Sequence, residues 1–175
     1  MLSIIGSYGE IHRNHVFESN SEIWVMNGKG ATLPRYDAVF QMHLPCDWGG
    51  GWSRRWLQNN HRVPVYMREL YPNIPMAKRY PFEEVFNMTK HVCQKERPLR
   101  YFTSSIAWAI ALAILQNRPK IDVYGVELFE DEYIKQKDCF AFWLGFAGGR
   151  NIELNINCAD SIFDMPMYGS QPLKE

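Results

Sequence analysis

Charge of one sign is not in excess in this chain. Its 175 residues carry 19 Lys plus Arg and 19 Asp plus Glu, a formal net charge of zero. Nucleic-acid binders carry a basic excess or a basic stripe, and the cluster Arg54-Arg55 reads as a solvated helix face. Nucleic acid is therefore not the expected partner. Cysteine is sparse. Cys46, Cys93, Cys139 and Cys158 form no CxxC pair and no Cys/His cluster at zinc spacing, so four free thiols in a reducing compartment are expected. The start MLSIIGSYGEIHRN lacks the basic head, long apolar stretch and cleavage site of a secretory signal. The apolar run 106–115 is about half the ~20 residues that span a bilayer. A soluble, cytoplasmic protein with no membrane partner is the expectation. GxGxxG and GxxxxGK[ST] are both missing, which argues against a nicotinamide or flavin cofactor and against a P-loop kinase.

What is present suits one folded domain: 46% hydrophobic and 14% aromatic residues over a length typical of a single core. Short β-forming runs read as strands at 2–5, 22–27, 37–43, 63–67, 120–127 and 152–156. Pro64 suits a strand start or an edge. Helices are expected over FEEVFNMTKHV (82–92), from Thr103 to Leu115 and over 138–148, with a short one carrying Trp56. The Thr103–Leu115 run is apolar on every side, which predicts burial on every side, and it stops near Asn117 and Pro119. Alternating strands and helices predict an α/β fold, a single Rossmann-like domain whose mostly parallel sheet has helices on both faces. Residues 46–81, with three glycines between Trp48 and Trp52 and then Pro72, Pro75 and Pro81, read as an irregular insertion.

Ligands of such sheets lie beyond the carboxyl ends of the strands. That rule selects Gly6-Ser7, Asn27-Gly28, His43 and Gly125 to Glu127. The hydroxyls of Thr103, Ser104 and Ser105 stand at the start of the buried helix. One of them is expected to cap it; the others pack, or face an anion held by the free N–H groups and the helix dipole. Asn27 is either a turn former or a donor and acceptor for a base or ribose. His43 is the candidate general base, with Asp47 close enough in sequence to orient it. Glu127, Glu130, Asp131 and Glu132 are a solvated loop or carboxylates that share Mg²⁺ with a phosphate. Trp48, Trp52 and Trp56 read equally as an aromatic lid or a satellite core.

IIGSYGE, EIWVMNGKG, YDAVFQMH and FTSSIAWAIALAI followed by KIDVYGVELFED come in an order that resembles the sialyltransferase-like nucleotide-binding fold. That group includes bacterial sialyltransferases and archaeal 6-hydroxymethylpterin diphosphokinases, and the layout is similar to that of small bacteriophage proteins. The resemblance covers residues 1–45 and 100–130. It implies donor-nucleotide contacts at Gly6, Ser7, Asn27, Thr103, Ser104, Ser105 and Glu127, makes Mg²⁺ a candidate cofactor, and places a phage-encoded protein in its host's cytoplasm. The chain departs from the sialyltransferase pattern at Ser105, where the family has glycine. It also departs at its last histidine, His91, which precedes the region of the family's catalytic histidine.

The expected function is a nucleotide-dependent transferase that moves a glycosyl or phosphoryl-type group from a nucleotide or nucleotide sugar. Two alternatives stay open: a non-catalytic protein that sequesters a nucleotide-type ligand, and an assembly scaffold. A homo-oligomer is compatible with each.

Overall fold

The computed structural model describes residues 1–7, 14–48, 51–59, 62–92, 100–128 and 131–157. The elements run β1 (Leu2–Ile5), α1 (Asn14–Glu18), β2 (Glu22–Met26), β3 (Ala38–Gln41), α2 (Gly51–Gln58), β4 (Val65–Met67) and β5 (Ala77–Arg79). Then come α3 (Phe82–Asn87), α4 (Ser105–Leu115), β6 (Lys120–Tyr124), α5 (Asp131–Gly148) and β7 (Glu153–Asn157). Seven strands form one sheet in the order β5-β4-β3-β2-β1-β6-β7. Every neighbouring pair is parallel. The protein is thus an α/β, Rossmann-like domain. Among the described residues, no helix is long and apolar enough to cross a membrane.

Parallel strands need crossovers, and the crossovers place helices on both faces. Side-chain alternation sorts the core accordingly. Leu2, Ile4, Trp24, Met26, Phe40, Ile121 and Val123 pack with α3, α4 and α5. Ile5, Ile23, Val25, Val39, Val65 and Met67 pack with Val16 of α1 and Leu57 of α2 on the opposite face. As its composition predicts, α4 is enclosed. It lies against β1, β2 and β3 on one side and α3 and α5 on others, and Ala107, Ala109, Ile110, Ala111 and Ala113 have no exposed surface. Asn117 ends it in the left-handed region, at φ 54°, while the Arg118 N–H bonds back to the Ala113 carbonyl at 3.0 Å. That arrangement returns orphan carbonyls at the helix end to hydrogen bonds.

Segment 46–81 is not an irregular insertion. It supplies α2, β4 and β5 and so extends the sheet by two strands. Pro64 sits at a strand start as expected, because its missing N–H costs nothing there while its carbonyl accepts from Val39 N–H at 3.0 Å. The strand at 120–127 stops at Tyr124, and the helix foreseen at 138–148 begins at Asp131.

Candidate functional site

The crevice lies where the sequence rule puts it. Gly6-Ser7 follow β1, Asn27 follows β2, His43 comes shortly after β3, and Gly125 to Glu127 follow β6. The N-terminus of α4 closes the floor. The eight residues Gly6, Ser7, Asn27, His43, Thr103, Ser104, Ser105 and Glu127 line one cavity of about 330 Å³. That volume is in the range of small-molecule sites.

Two glycines set the crevice's back wall. Gly6 N–H donates to the Tyr124 carbonyl at 2.8 Å, which brings the two strand ends together. A Cβ on Gly6 would collide with the carbonyl oxygen of Gly125 and meet Val126 Cγ2 at 3.1 Å. Gly125 itself has φ 61°, a left-handed conformation that glycine adopts without a Cβ penalty. Gly6 is therefore explained by its neighbour across the sheet, with no ligand required.

Asn27 is different. It adopts φ 51°, a region that asparagine tolerates better than most non-glycine residues. Its side-chain oxygen is buried and has no hydrogen-bond partner among the described residues. Turn chemistry explains the backbone but leaves that oxygen unaccounted for.

The start of α4 departs from expectation in an informative way. Ser104 is the N-cap, extended at φ −147° and ψ 154°, and its side chain makes no cap hydrogen bond. Its hydroxyl oxygen is buried and unpartnered as well. The expectation that one of the three hydroxyls caps the helix is thus corrected for the residue in the cap position. Thr103 is occupied elsewhere. Its N–H donates to the Cys139 sulfur at 3.4 Å, and its hydroxyl faces the same thiol. Burial pushes that thiol above its ordinary pKa, partly offset by Thr103 and the Ser104 N–H. Cys139 also donates to the Tyr101 carbonyl at 3.4 Å, and Trp143 Nε1 donates to that carbonyl at 2.9 Å. Residues 101–104 are therefore tied to α5, which holds the mouth of α4 in place.

His43 is exposed at the lip of the cavity. Its carbonyl accepts from Trp48 Nε1 at 2.8 Å. Among the described residues, no hydrogen bond or ion pair joins Asp47 to His43, so Asp47 does not orient the ring. For Trp48 and Trp56 the lid reading gives way to core. Trp48 is buried and meets Tyr71 edge-on at 5.1 Å, and Trp56 packs on Tyr36 at 6.0 Å and beneath Gly30. The side chain of Trp52 lies outside the described residues.

Glu127 reaches the cavity. Glu130 and the side chains of Asp131 and Glu132 lie outside the described residues. Among the residues described, no group of three or more His, Cys, Asp or Glu side chains could hold a metal; of the four carboxylates in the Mg²⁺ expectation, that set includes the side chain of Glu127 alone. Cys46 and Cys139 are free thiols; Cys93 and Cys158 fall outside the described set.

A second lobe of about 560 Å³ opens beside the first and shares His43, Thr103, Ser104 and Ser105 with it. Arg68, Arg79 and Arg100 line it. None of the three was singled out from the sequence: Arg79 belongs to β5, a three-residue strand without an apolar pattern, and Arg68 follows β4. No protein family, curated protein or solved structure matches the chain, so the chemistry of this crevice has to be read from its own residues.

Proposed function

We propose that the protein is a nucleotide-dependent transferase, as the likeness to the sialyltransferase-like fold suggests, with its donor in the 330 Å³ cavity. The observation that carries this is Ser104: a serine in the cap position whose buried hydroxyl has no hydrogen-bond partner among the described residues. Serine at an N-cap ordinarily contributes ~1 kcal/mol by bonding a free N–H of the first turn. Here the hydroxyl and the first-turn N–H groups are both left to a ligand. A phosphate oxygen accepts from both, and the positive end of the helix dipole favours its charge. The unpartnered Asn27 oxygen, in the same cavity, accepts from a ribose hydroxyl or a base amino group.

In this reading the departing nucleotide phosphate gains charge against the α4 N-terminus, the kind of preorganised stabilisation that speeds group transfer. His43 takes the proton of the acceptor hydroxyl as that oxygen forms its bond to the transferred group. Binding without turnover is the second reading. It is favoured by one observation, that among the described residues no carboxylate bonds to His43.

Thermal unfolding with nucleoside mono- and diphosphates and nucleotide sugars tests the site. A ligand of the folded state at about a hundred times its Kd adds ~2.7 kcal/mol. The expected result is a rise in Tm that Ser104→Val abolishes. Turnover of the stabilising nucleotide sugar, lost in His43→Ala, separates transfer from sequestration. No stabilisation by any nucleotide would remove the reading.

A further inference from the structure

We propose that the arginine-lined lobe is a second binding site, for a ligand with a planar or apolar body and an anionic head group. Its use as the acceptor site rests on the transfer reading above, whereas the binding itself does not.

The chain as a whole is neutral, yet this lobe gathers three guanidinium groups, of Arg68, Arg79 and Arg100, against one carboxylate, of Glu69. The three cations come from separate parts of the chain. Arg68 follows β4 directly, and Arg79 ends β5, where it pairs in register with Met67. Arg100 leads into α4. Among the described residues, none of the three makes an ion pair, while Arg35, Arg118 and Lys120 elsewhere each have a carboxylate partner. Converging, unneutralised arginines raise the local concentration of anions. Their forked donors also match carboxylate and phosphate oxygens two at a time.

The opposite wall is aromatic and stiff. Phe102 lies parallel to Trp108 with centroids 3.6 Å apart and planes 7° apart, and Phe82 meets Trp108 edge-on at 5.3 Å. Tyr80 donates to the Trp108 carbonyl at 2.7 Å, which anchors this turn of α4. The Arg100 guanidinium sits 5.0 Å from the centre of the Phe86 ring, so the cationic rim and the apolar wall touch. A volume of about 560 Å³ holds a small molecule. Because both lobes share His43, Ser104 and Ser105, the second ligand's body would lie next to whatever occupies the first.

Calorimetric titration with phenyl phosphate, and with benzyl alcohol as the uncharged counterpart, tests the assignment at low salt. Cytidine monophosphate serves as the separate probe of the first lobe. Phenyl phosphate is expected to bind, more weakly as salt rises, and the alcohol about tenfold or more less tightly. Arg68→Gln/Arg79→Gln and Arg100→Gln change exposed side chains, and each should weaken phenyl phosphate about tenfold while leaving the nucleotide's affinity unchanged. Asn27→Asp, at a residue that lines the first lobe alone, should do the reverse. Absent binding, or equal binding by wild type and the arginine variants, overturns the proposal. Joint loss of both probes in the arginine variants also overturns it, because the lobes would then be one site. Arginine-dependent phenyl phosphate binding with no nucleotide binding leaves this site standing and removes the transferase reading.

Discussion

The carbonyl oxygen of Gly125 occupies the space that a side chain on Gly6 would need. Two strand ends on adjacent strands thus fix the back of the crevice by backbone contact alone. Gly6→Ala must push them apart, and overpacking of this kind costs about 1–3 kcal/mol. Chemical denaturation should show a lower midpoint. An unchanged midpoint would mean that the β1 and β6 ends separate freely.

Ser104→Ala is expected to leave stability within ~0.5 kcal/mol of wild type, or to raise it. The usual ~1 kcal/mol loss at a serine cap has no bond to come from here. Removing a buried hydroxyl without a partner instead relieves a desolvation cost. The two signs are separable in a urea titration, and a loss near the usual value would show that the hydroxyl caps the helix after all.

Alkaline pH should destabilise the fold through Tyr80. Burial, and to a lesser extent Tyr66, raises its phenol well above the ordinary value near 10. The sign follows from proton counting. Below the unfolded value both states keep the proton; above it the unfolded chain loses one that the folded chain retains. Stability is thus full below about pH 10 and declines above it, by up to ~1.4 kcal/mol per pH unit for one such group. Tyr36, Tyr71, Tyr101 and Tyr124 are raised as well and act in the same direction. Tyr80→Phe should flatten part of this slope, at a cost of about 1 kcal/mol near neutrality for the lost bond to the Trp108 carbonyl. Unfolding midpoints from pH 7 to 11 give both quantities.

Arg35 joins α1 to the start of β2. Its guanidinium donates to the carbonyls of Val16 at 3.2 Å, Phe17 at 3.3 Å, Ser19 at 2.6 Å and Ser21 at 3.1 Å. Asp37, 3.5 Å from it, accepts from Ile23 N–H at 2.8 Å. Partial exposure weakens each contact, so Arg35→Ala should cost about 1–2 kcal/mol. Lysine should restore little, since a single ammonium cannot serve four carbonyls. Equal stability of the Lys variant and wild type would reduce Arg35 to a plain surface charge.

The fold was legible where burial writes a pattern. LSII, EIWVM and KIDVY are apolar because both sheet faces are covered, and α4 is apolar all round because it lies between the sheet and other helices. The crevice followed from a topological rule applied to the ends of those runs. The edge was harder to see. Ala77–Arg79 is short, two of its residues are exposed, and its pairing with β4 is a backbone matter that side chains do not advertise. Nothing local in the sequence separates Arg68 and Arg79, which line the crevice, from solvated arginines. Ser104 was identifiable as a helix start, but only the folded structure shows that its hydroxyl makes no cap bond.

The position of β1 has a consequence for synthesis. It pairs with β2 on one side and with β6 on the other, so Leu2 faces both Glu22 and Ile121. A ribosome adding roughly 5–20 residues per second delivers the second partner on the order of ten seconds after β1 itself. Until then one side of β1 has no neighbour, and Gly6 has no Tyr124 carbonyl to bond. A nascent chain that ends before Lys120 would already carry every hydroxyl at the start of α4, and still lack the Gly125 wall that closes the crevice behind them.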